Sequence, residues 1–558
     1  MRFVSCLLAV AATLMAGAWA GAAVRPTPSM LQADTSPLDC VLYFVPDDPY
    51  FGNQWHLANP GAPPNVNITG AWASGLTGAG VVIGIVDDCL QTDHPDLAPN
   101  YTAAHSWDFG QNDPNPDPVT AEDMHGTSVA GLAAARGGNA LGVTGAAPLA
   151  SLAGLRVDFA NQTEQMFADA TLYHSSGSDT SIKIKNHSYG FQEPYVDAGT
   201  MAGALRTSAS AGTIHTIAAG NERWYHENYY FLDANGNGNF DPDVDYAIDA
   251  DANKQPMCSL SEVIVVAALG ADGVYSYYSN WGANVFVTVP SSGIAGYSIT
   301  TTDRTGADGY NGGSDPIQNA DYTSMFGGTS AAAPVAAGIM ALGKQANPAM
   351  DERMAKHLLV RTSRIVDAAD ATASSDGGWK TNAAGNAFNQ NYGFGLIDAT
   401  AFAAEAAVWT GVTPAASEDT GTVLVNEAIE GEGGVFRNFT FATAGLLEEV
   451  EVNLNIDHTW RGDLEAFLTS PAGTTSRLMI ANLADSFDLI DWTFVTNAFW
   501  GEQAAGQWRL EIVDTYPTLD DGTWNSFSAL ARTGELVPEP ATMALVALGG
   551  VLLARRRR

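Results

Sequence analysis

Between Asp48 and about residue 410, short apolar runs alternate with stretches of small residues at helical spacing. The runs Val81–Val86, Leu152–Val157, Ile182–Asn186, Thr213–Ala218 and Val263–Ala268 are mostly apolar, which predicts strands covered on both faces. Thr127–Ala135 and Ser330–Gln345 read as alanine-rich helices. Strands of this kind separated by helices predict an α/β domain with a parallel sheet between two helical layers. Further on the period changes. Val450-Glu451-Val452-Asn453-Leu454-Asn455-Ile456 alternates strictly, and Gly-rich turns break up its surroundings. Residues 421–534 therefore predict an all-β sandwich of jelly-roll type. The Thr/Pro/Ser/Glu stretch at 411–420 reads as a linker, and no internal repeat stands out.

The two ends fall outside this pattern. Residues 1–20 carry Arg2, an apolar run and Ala18-Trp19-Ala20, the layout of a signal peptide, with Ala23 as a second possible cleavage point. Residues 21–47 are short and irregular. At the other end, Val537-Pro538-Glu539-Pro540 is followed by an apolar stretch to Ala554 and then Arg555 to Arg558. That stretch is short for a full membrane span, and the arginines would hold its end in the cytoplasm.

Composition narrows the function. The 558 residues hold 61 acidic against 25 basic side chains, a formal net charge of -36. Such a balance argues against a nucleic-acid binder and suits an exported protein that holds calcium. Of four cysteines, Cys6 lies in the leader, so Cys40, Cys89 and Cys258 allow at most one disulfide and leave a thiol. One acidic stretch has the spacing of a calcium loop. Asp233, Asn235, Asn237, Asn239 and Asp241 occupy alternate positions around Gly238, although Val244 stands where a bidentate glutamate would close the shell.

Three segments carry the candidate chemistry. Asp87 ends an apolar strand, where α/β sheets place their sites. His125-Gly126-Thr127-Ser128 and Gly328-Thr329-Ser330-Ala331 each open a small-residue helix, whose free N–H groups favour negative charge. A serine hydroxyl needs a base, and a histidine base needs a carboxylate to fix its tautomer. Ser330, His125 and Asp87 supply the three roles in the chain order Asp, His, Ser. Asn221, after Ala218-Ala219-Gly220, has an amide that could donate to an oxyanion. Ser188-Tyr189-Gly190 follows another strand and could pair its backbone with an extended peptide.

At these residues the chain resembles the subtilases, in particular their kexin/furin-like branch. Asp87-Asp88, Asp321-Tyr322-Thr323 and Tyr392-Gly393-Phe394-Gly395 are similar to that branch, while His458-Thr459-Trp460-Arg461-Gly462-Asp463 and Phe499-Trp500-Gly501-Glu502 resemble its P-domain. In that setting Arg461-Gly462-Asp463 reads as a structural turn, not an integrin ligand. The resemblance implies a peptidase domain over 48–410, polypeptide substrates and a calcium ion. Its ligands would be Asp48, Asp96 and Asn139 with the carbonyls of Arg136, Leu141 and Val143. The C-terminus resembles a PEP-CTERM signal, which implies sorting and export machinery as a partner and a Gram-negative cell surface as destination; a plain tail anchor is the alternative. Three departures from the branch stand out. Residues 21–47 are too short for the usual folded propeptide, Cys89 replaces the glycine after the aspartate pair, and Gln255 stands where a specificity acid is expected. Asp88 and Glu122 remain as acids that would favour a basic residue one position upstream. Strict dibasic cleavage is not expected. The competing function is a non-catalytic surface adhesin that binds through the sandwich.

Overall fold

The computed structural model describes residues 44–58, 63–232, 246–293, 296–313, 315–429, 434–516 and 521–538. The leader, the sorting tail beyond Pro538 and the acidic loop 233–245 lie outside them. So do the calcium-loop candidates Asp233, Asn235, Asn237 and Asp241.

Seven parallel strands form the central sheet: β1 (Val82–Asp87), β2 (Trp107–Asp108), β3 (Ser151–Arg156), β4 (Ile182–His187), β5 (Ile214–Ala218), β6 (Ile264–Leu269) and β7 (Val285–Pro290). Their spatial order is β2-β3-β1-β4-β5-β6-β7. The five strands expected from the sequence lie within two residues of their predicted bounds. On one face pack α1 (His125–Ala134) and α4 (Thr329–Ala346), and on the other α2 (Glu164–Leu172) and α3 (Gly199–Ser210). β6 shows why such strands lack a polar face: Ile264, Val266 and Ala268 join the first core, and Val265 and Ala267 the second. Alternate side chains point to opposite faces, and both faces are dry.

The C-terminal domain is a sandwich of two antiparallel sheets. Leu447–His458 pairs with Gly522–Thr533 and Leu489–Thr496 in one, and Gly506–Asp514 pairs with Val435–Phe441 and Leu464–Thr469 in the other. Phe441, Phe494, Trp508 and Phe527 fill the space between them. The 411–420 stretch differs from the linker expected. Trp409–Val412 pairs with Leu536–Pro538, and Ala416–Asp419 with the strand ending at Thr533. Its Thr/Ser/Glu side chains suit a solvated edge strand, which composition alone does not separate from a linker. Arg461-Gly462-Asp463 is a short 3₁₀ turn, with Arg461 paired to Asp485 at 2.9 Å and its guanidinium over the ring of Tyr195. That is the structural role expected for it.

A buried ion cluster joins the two domains. The ammonium of Lys356, on the helix α5 (Glu352–Thr362), lies 2.8 Å from Glu352 and 3.1 Å from Glu449 of the sandwich. One buried cation cannot hold two buried carboxylates ionised. Burial, outweighing the attraction of Lys356, pushes Glu352 up to about 7 and Glu449 up to about 8. Both values exceed the ordinary 4.5, so the folded chain keeps protons that the unfolded chain releases. This cluster's contribution therefore weakens as pH rises from the ordinary glutamate value through the folded ones. In thermal denaturation, Glu449→Gln should gain stability relative to wild type between about pH 5 and about pH 8. A Tm difference independent of pH would contradict this.

Candidate active site

The candidate residues converge at the carboxyl end of the sheet. β1 lies between β3 and β4, where the strand order reverses, and Asp87 is its last residue. His125 opens α1, and its Nδ1 lies 2.8 Å from Asp87 Oδ1. Gly126 makes this approach possible: a Cβ there would fall 2.0 Å from the Cys89 carbonyl oxygen and 2.8 Å from Asp87 Cβ. The glycine of the His-Gly pair is thus a packing requirement.

Ser330 sits in the first turn of α4, behind Gly328, whose φ of 76° suits glycine. Pro334 lies in the same helix and has no N–H to bond the Ser330 carbonyl. That carbonyl instead accepts from Ser188 Oγ at 3.1 Å. In return Ser330 Oγ donates to the Ser188 carbonyl at 3.2 Å. Ser330 is therefore tied to the residue that follows β4.

Asn221 follows β5. Its Oδ1 accepts from Thr329 N at 2.8 Å and from Thr329 Oγ1 at 3.0 Å. These donors fix the orientation of the amide and leave its NH₂ as the group able to donate beside Ser330. Gly220 again has a steric reason, since a Cβ would lie 2.3 Å from Asn280 Nδ2 and 2.4 Å from Glu222 Oε2.

The electrostatics follow from burial and charge together. Burial pulls the His125 imidazole down, but the charge and hydrogen bond of Asp87, with Asp88 behind it, raise it to about 9. Burial raises Asp87 in turn, against the pull of His125.

The expected substrate-binding residues separate into two groups. Ser188, Tyr189 and Gly190 border a pocket beside Ser330, the Tyr189 ring turned inward against Phe159 and Phe167. Asp88 also caps a helix. Its carboxylate accepts from the backbone N–H groups of Met124, His125 and Gly126 at 3.0, 3.0 and 2.7 Å, so it holds α1 in place, and it does not border that pocket. Glu122 is exposed on the loop before His125 and does not border that pocket.

Sequence reasoning missed Glu222, which borders the pocket and accepts from Asn221 N and Asn280 Nδ2, both at 2.7 Å. Burial pushes its carboxyl up to about 7 against these bonds. Its place directly after Asn221 was the available signal. Cys258 also borders the pocket, and it and Cys89 are buried free thiols.

The proposed calcium residues also come together. Asp48 accepts from Gly138 N at 2.9 Å, Asn139 N at 3.2 Å and the Thr144 hydroxyl. Asp96 accepts from Asn139 Nδ2 and Val143 N, both at 2.8 Å, and burial pushes it up to about 7. Arg136 donates its backbone N–H to the Asp96 carbonyl at 2.8 Å and turns its guanidinium to Pro99. Leu141 N bonds Asn139 Oδ1 at 2.9 Å. Two buried carboxylates thus meet at one loop, which fits a hard cation, and the groups that bond them here are N–H and O–H donors. Among the described residues no group of three acidic, histidine or cysteine side chains forms such a site.

A buried carboxylate, a histidine and a serine at a helix start, with an amide donor beside them, on the edge of a parallel sheet, define a serine-nucleophile site of the triad class. Residues 78–395 match the Subtilase family, and residues 447–529 the Proprotein convertase P-domain. The PEP-CTERM protein-sorting motif matches residues 536–558. The chain belongs to the subtilase family. It is 32% identical to the protease KEX1 of Kluyveromyces lactis over 486 residues, 85% of this chain and 59% of that protein. To furin of Mus musculus it is 32% identical over 502 residues, 87% of this chain and 58% of that one. It therefore spans less than two thirds of these relatives' length. The crystal structure of the serine protease of Aeromonas sobria superposes with a TM-score of 0.76 at 28% identity, covering 91% of this chain and 99% of that one.

A triad with His125 as its base would need that imidazole neutral, so in such an enzyme kcat/KM should rise with pH through a midpoint above the ordinary 6.5. Asp88→Asn removes a negative charge that favours the imidazolium and should move that midpoint down. A midpoint at or below 6.5, or no movement in the variant, would contradict the geometry's electrostatics.

Proposed function

We propose that the chain is a calcium-stabilised serine endopeptidase that cleaves polypeptides through an acyl-enzyme at Ser330. One arrangement carries this: the 2.8 Å bond from His125 to buried Asp87, with Ser330 and the oriented amide of Asn221 at the same sheet edge. Ser330 Oγ attacks the scissile carbonyl while His125 Nε2 takes its proton. The imidazolium so formed is stabilised by Asp87 and then protonates the leaving amine. Asn221 Nδ2 donates to the oxyanion, an interaction worth about 3–4 kcal/mol in such sites. Substrate backbone runs along Ser188–Gly190, adding a strand to that edge. Water then attacks the acyl carbonyl with His125 as base, releasing the second product.

Calcium would be held by Asp48, Asp96 and Asn139 with carbonyls of Arg136, Leu141 and Val143, supplying positive charge to two buried carboxylates. Asn139 would need to turn its amide oxygen towards the ion, since its nitrogen faces Asp96 here. The PEP-CTERM match supports export to a bacterial surface and a sorting enzyme as partner.

A fluorophosphonate probe tests the enzyme reading directly. Wild type should label and Ser330→Ala should not; an unlabelled wild type, or equal labelling, would refute it. Asp87→Asn should label and lower kcat by about 10⁴-fold. Chelation should lower the Tm and added calcium restore it. An unchanged Tm would remove the metal from this account.

A further inference from the structure

The layer between the sheet and helices α2 and α3 holds apolar side chains such as Phe167, Leu205 and Ile217. A polar seam crosses it. Lys185 and His187 of β4, His215 of β5, Ser208 of α3 and Ser175 beyond α2 are all buried. The triad uses none of them, and a dry layer tolerates such groups only when each is paired.

Their hydrogen bonds form one chain. The Tyr189 hydroxyl lies 2.8 Å from His187 Nδ1, His187 Nε2 lies 3.0 Å from His215 Nδ1, and His215 Nε2 lies 3.0 Å from Ser208 Oγ. Ser208 Oγ lies 2.9 Å from Ser175 Oγ, and Ser175 Oγ 2.7 Å from the Thr171 carbonyl. The last member sets the direction, because a carbonyl only accepts. Ser175 gives its one hydroxyl proton to Thr171, so Ser208 donates to Ser175 and accepts from His215 Nε2–H. Neutral His215 then has a bare Nδ1, which accepts from His187 Nε2–H. His187 Nδ1 is bare in turn and accepts from the Tyr189 hydroxyl.

Lys185 supports the neutral pair. Its ammonium donates to the carbonyls of Ala170, Thr171 and Tyr173 at 2.8, 2.7 and 2.7 Å, three acceptors for three N–H groups, although burial pulls its own pKa down. Burial and then the charge of Lys185 keep His187 down at about 3, and His215 is lowered by burial, His187 and Lys185. The other end of the chain is the substrate edge. Tyr189 stands between Gly190 and Ser188, which exchanges two hydrogen bonds with Ser330. Packing on Phe159 and Phe167 is non-directional, whereas the bond to His187 is directional and fixes how deep the Tyr189 ring sits.

We propose that His187 and His215 are positioning residues: as a neutral pair they hold Tyr189, and through it the backbone of Ser188–Gly190, in the course along which a substrate strand pairs. This rests on the endopeptidase reading above. An apolar pair in their place would leave the Tyr189 hydroxyl unmet.

Glutamine separates this role from packing, since its amide offers one acceptor and one donor, as a neutral imidazole does. In the full mature protein, His187→Leu should lower kcat/KM for internally quenched peptides by about tenfold, mainly through KM. The loss should shrink for a single-residue ester, which has no backbone to pair. His187→Gln should recover most of it. Tyr189→Phe keeps the ring and should reproduce the leucine defect, which decides the matter if His187→Leu does not fold. Equal losses on peptide and ester, a glutamine variant no better than leucine, or wild-type kinetics in Tyr189→Phe overturns the proposal. Nitrogen-15 spectra should show both imidazoles as Nε2–H tautomers that do not titrate between about pH 5 and about pH 8. A charged ring or an Nδ1–H tautomer in that range overturns the chain of bonds. Fluorophosphonate labelling of wild type separates the failures. Labelled protein with any of these contrary results overturns the positioning role alone. Unlabelled wild type overturns the endopeptidase reading and this proposal with it.

Discussion

The site depends on a buried clasp between the two domains. The ammonium of Lys254 lies 2.6 Å from Asp249 Oδ2 and donates to the Ile480 carbonyl of the sandwich at 2.9 Å. Asn482 reaches back to Asp249 at 3.0 Å, and Ile480 N donates to Asp251 at 3.2 Å. The Trp492 indole donates to the Asn253 carbonyl at 2.8 Å. Breaking one partner of such a pair leaves a buried charge uncompensated, which costs about 3–5 kcal/mol. The wall that carries Gln255 and Cys258 follows directly in the chain. The second domain thus braces one wall of the pocket beside Ser330, and the two domains behave as one structural unit.

The reacting groups depend on a different constraint, the close approach of helix starts to strand ends. Alanines and glycines line α1 and α4, which lets both helices pack on the sheet beside β1 and β5. His125 and Ser330 are then placed by backbone that cannot shift: Gly126 is pinned against Cys89, and the carbonyl freed by Pro334 is taken by Ser188. Asp88 completes the arrangement by satisfying the N–H groups at the start of α1. Two adjacent aspartates thus divide the work. Asp87 orients the imidazole, and Asp88 holds the helix that carries it.

Much of this was legible in the sequence, because it is written in local patterns. Apolar runs gave the inner strands, and the His-Gly and Thr-Ser-Ala segments marked the helix starts and their side chains. The outer strands were not found. β2 has two residues, too few for a pattern, and β7 runs into Pro290. The capping role of Asp88 was missed because its three backbone donors, 36 to 38 residues away, are not visible in the sequence. Glu222 was missed for the same reason: nothing local shows that it will accept from Asn280, 58 residues away.

The treatment of buried acids bears on the metal question. Asp249 is met by Lys254, Asp108 by Arg156 at 3.0 Å, and Glu448 by Arg353 at 2.7 Å. The protein, though strongly acidic overall, uses its few cations where carboxylates leave water. Asp48 and Asp96 are met differently: each is buried, the charge of Asp48 raises the proton affinity of Asp96, and every hydrogen bond described for their carboxylates comes from a neutral donor. Neutral N–H groups offset only part of the desolvation of two adjacent negative charges. A divalent cation among the same oxygens removes that cost, and its loss would return the loop to two carboxylates competing for protons. The loop also leads out of α1, the helix that His125 opens, so the same ion would steady the base of the triad through the backbone from Arg136 to Thr144.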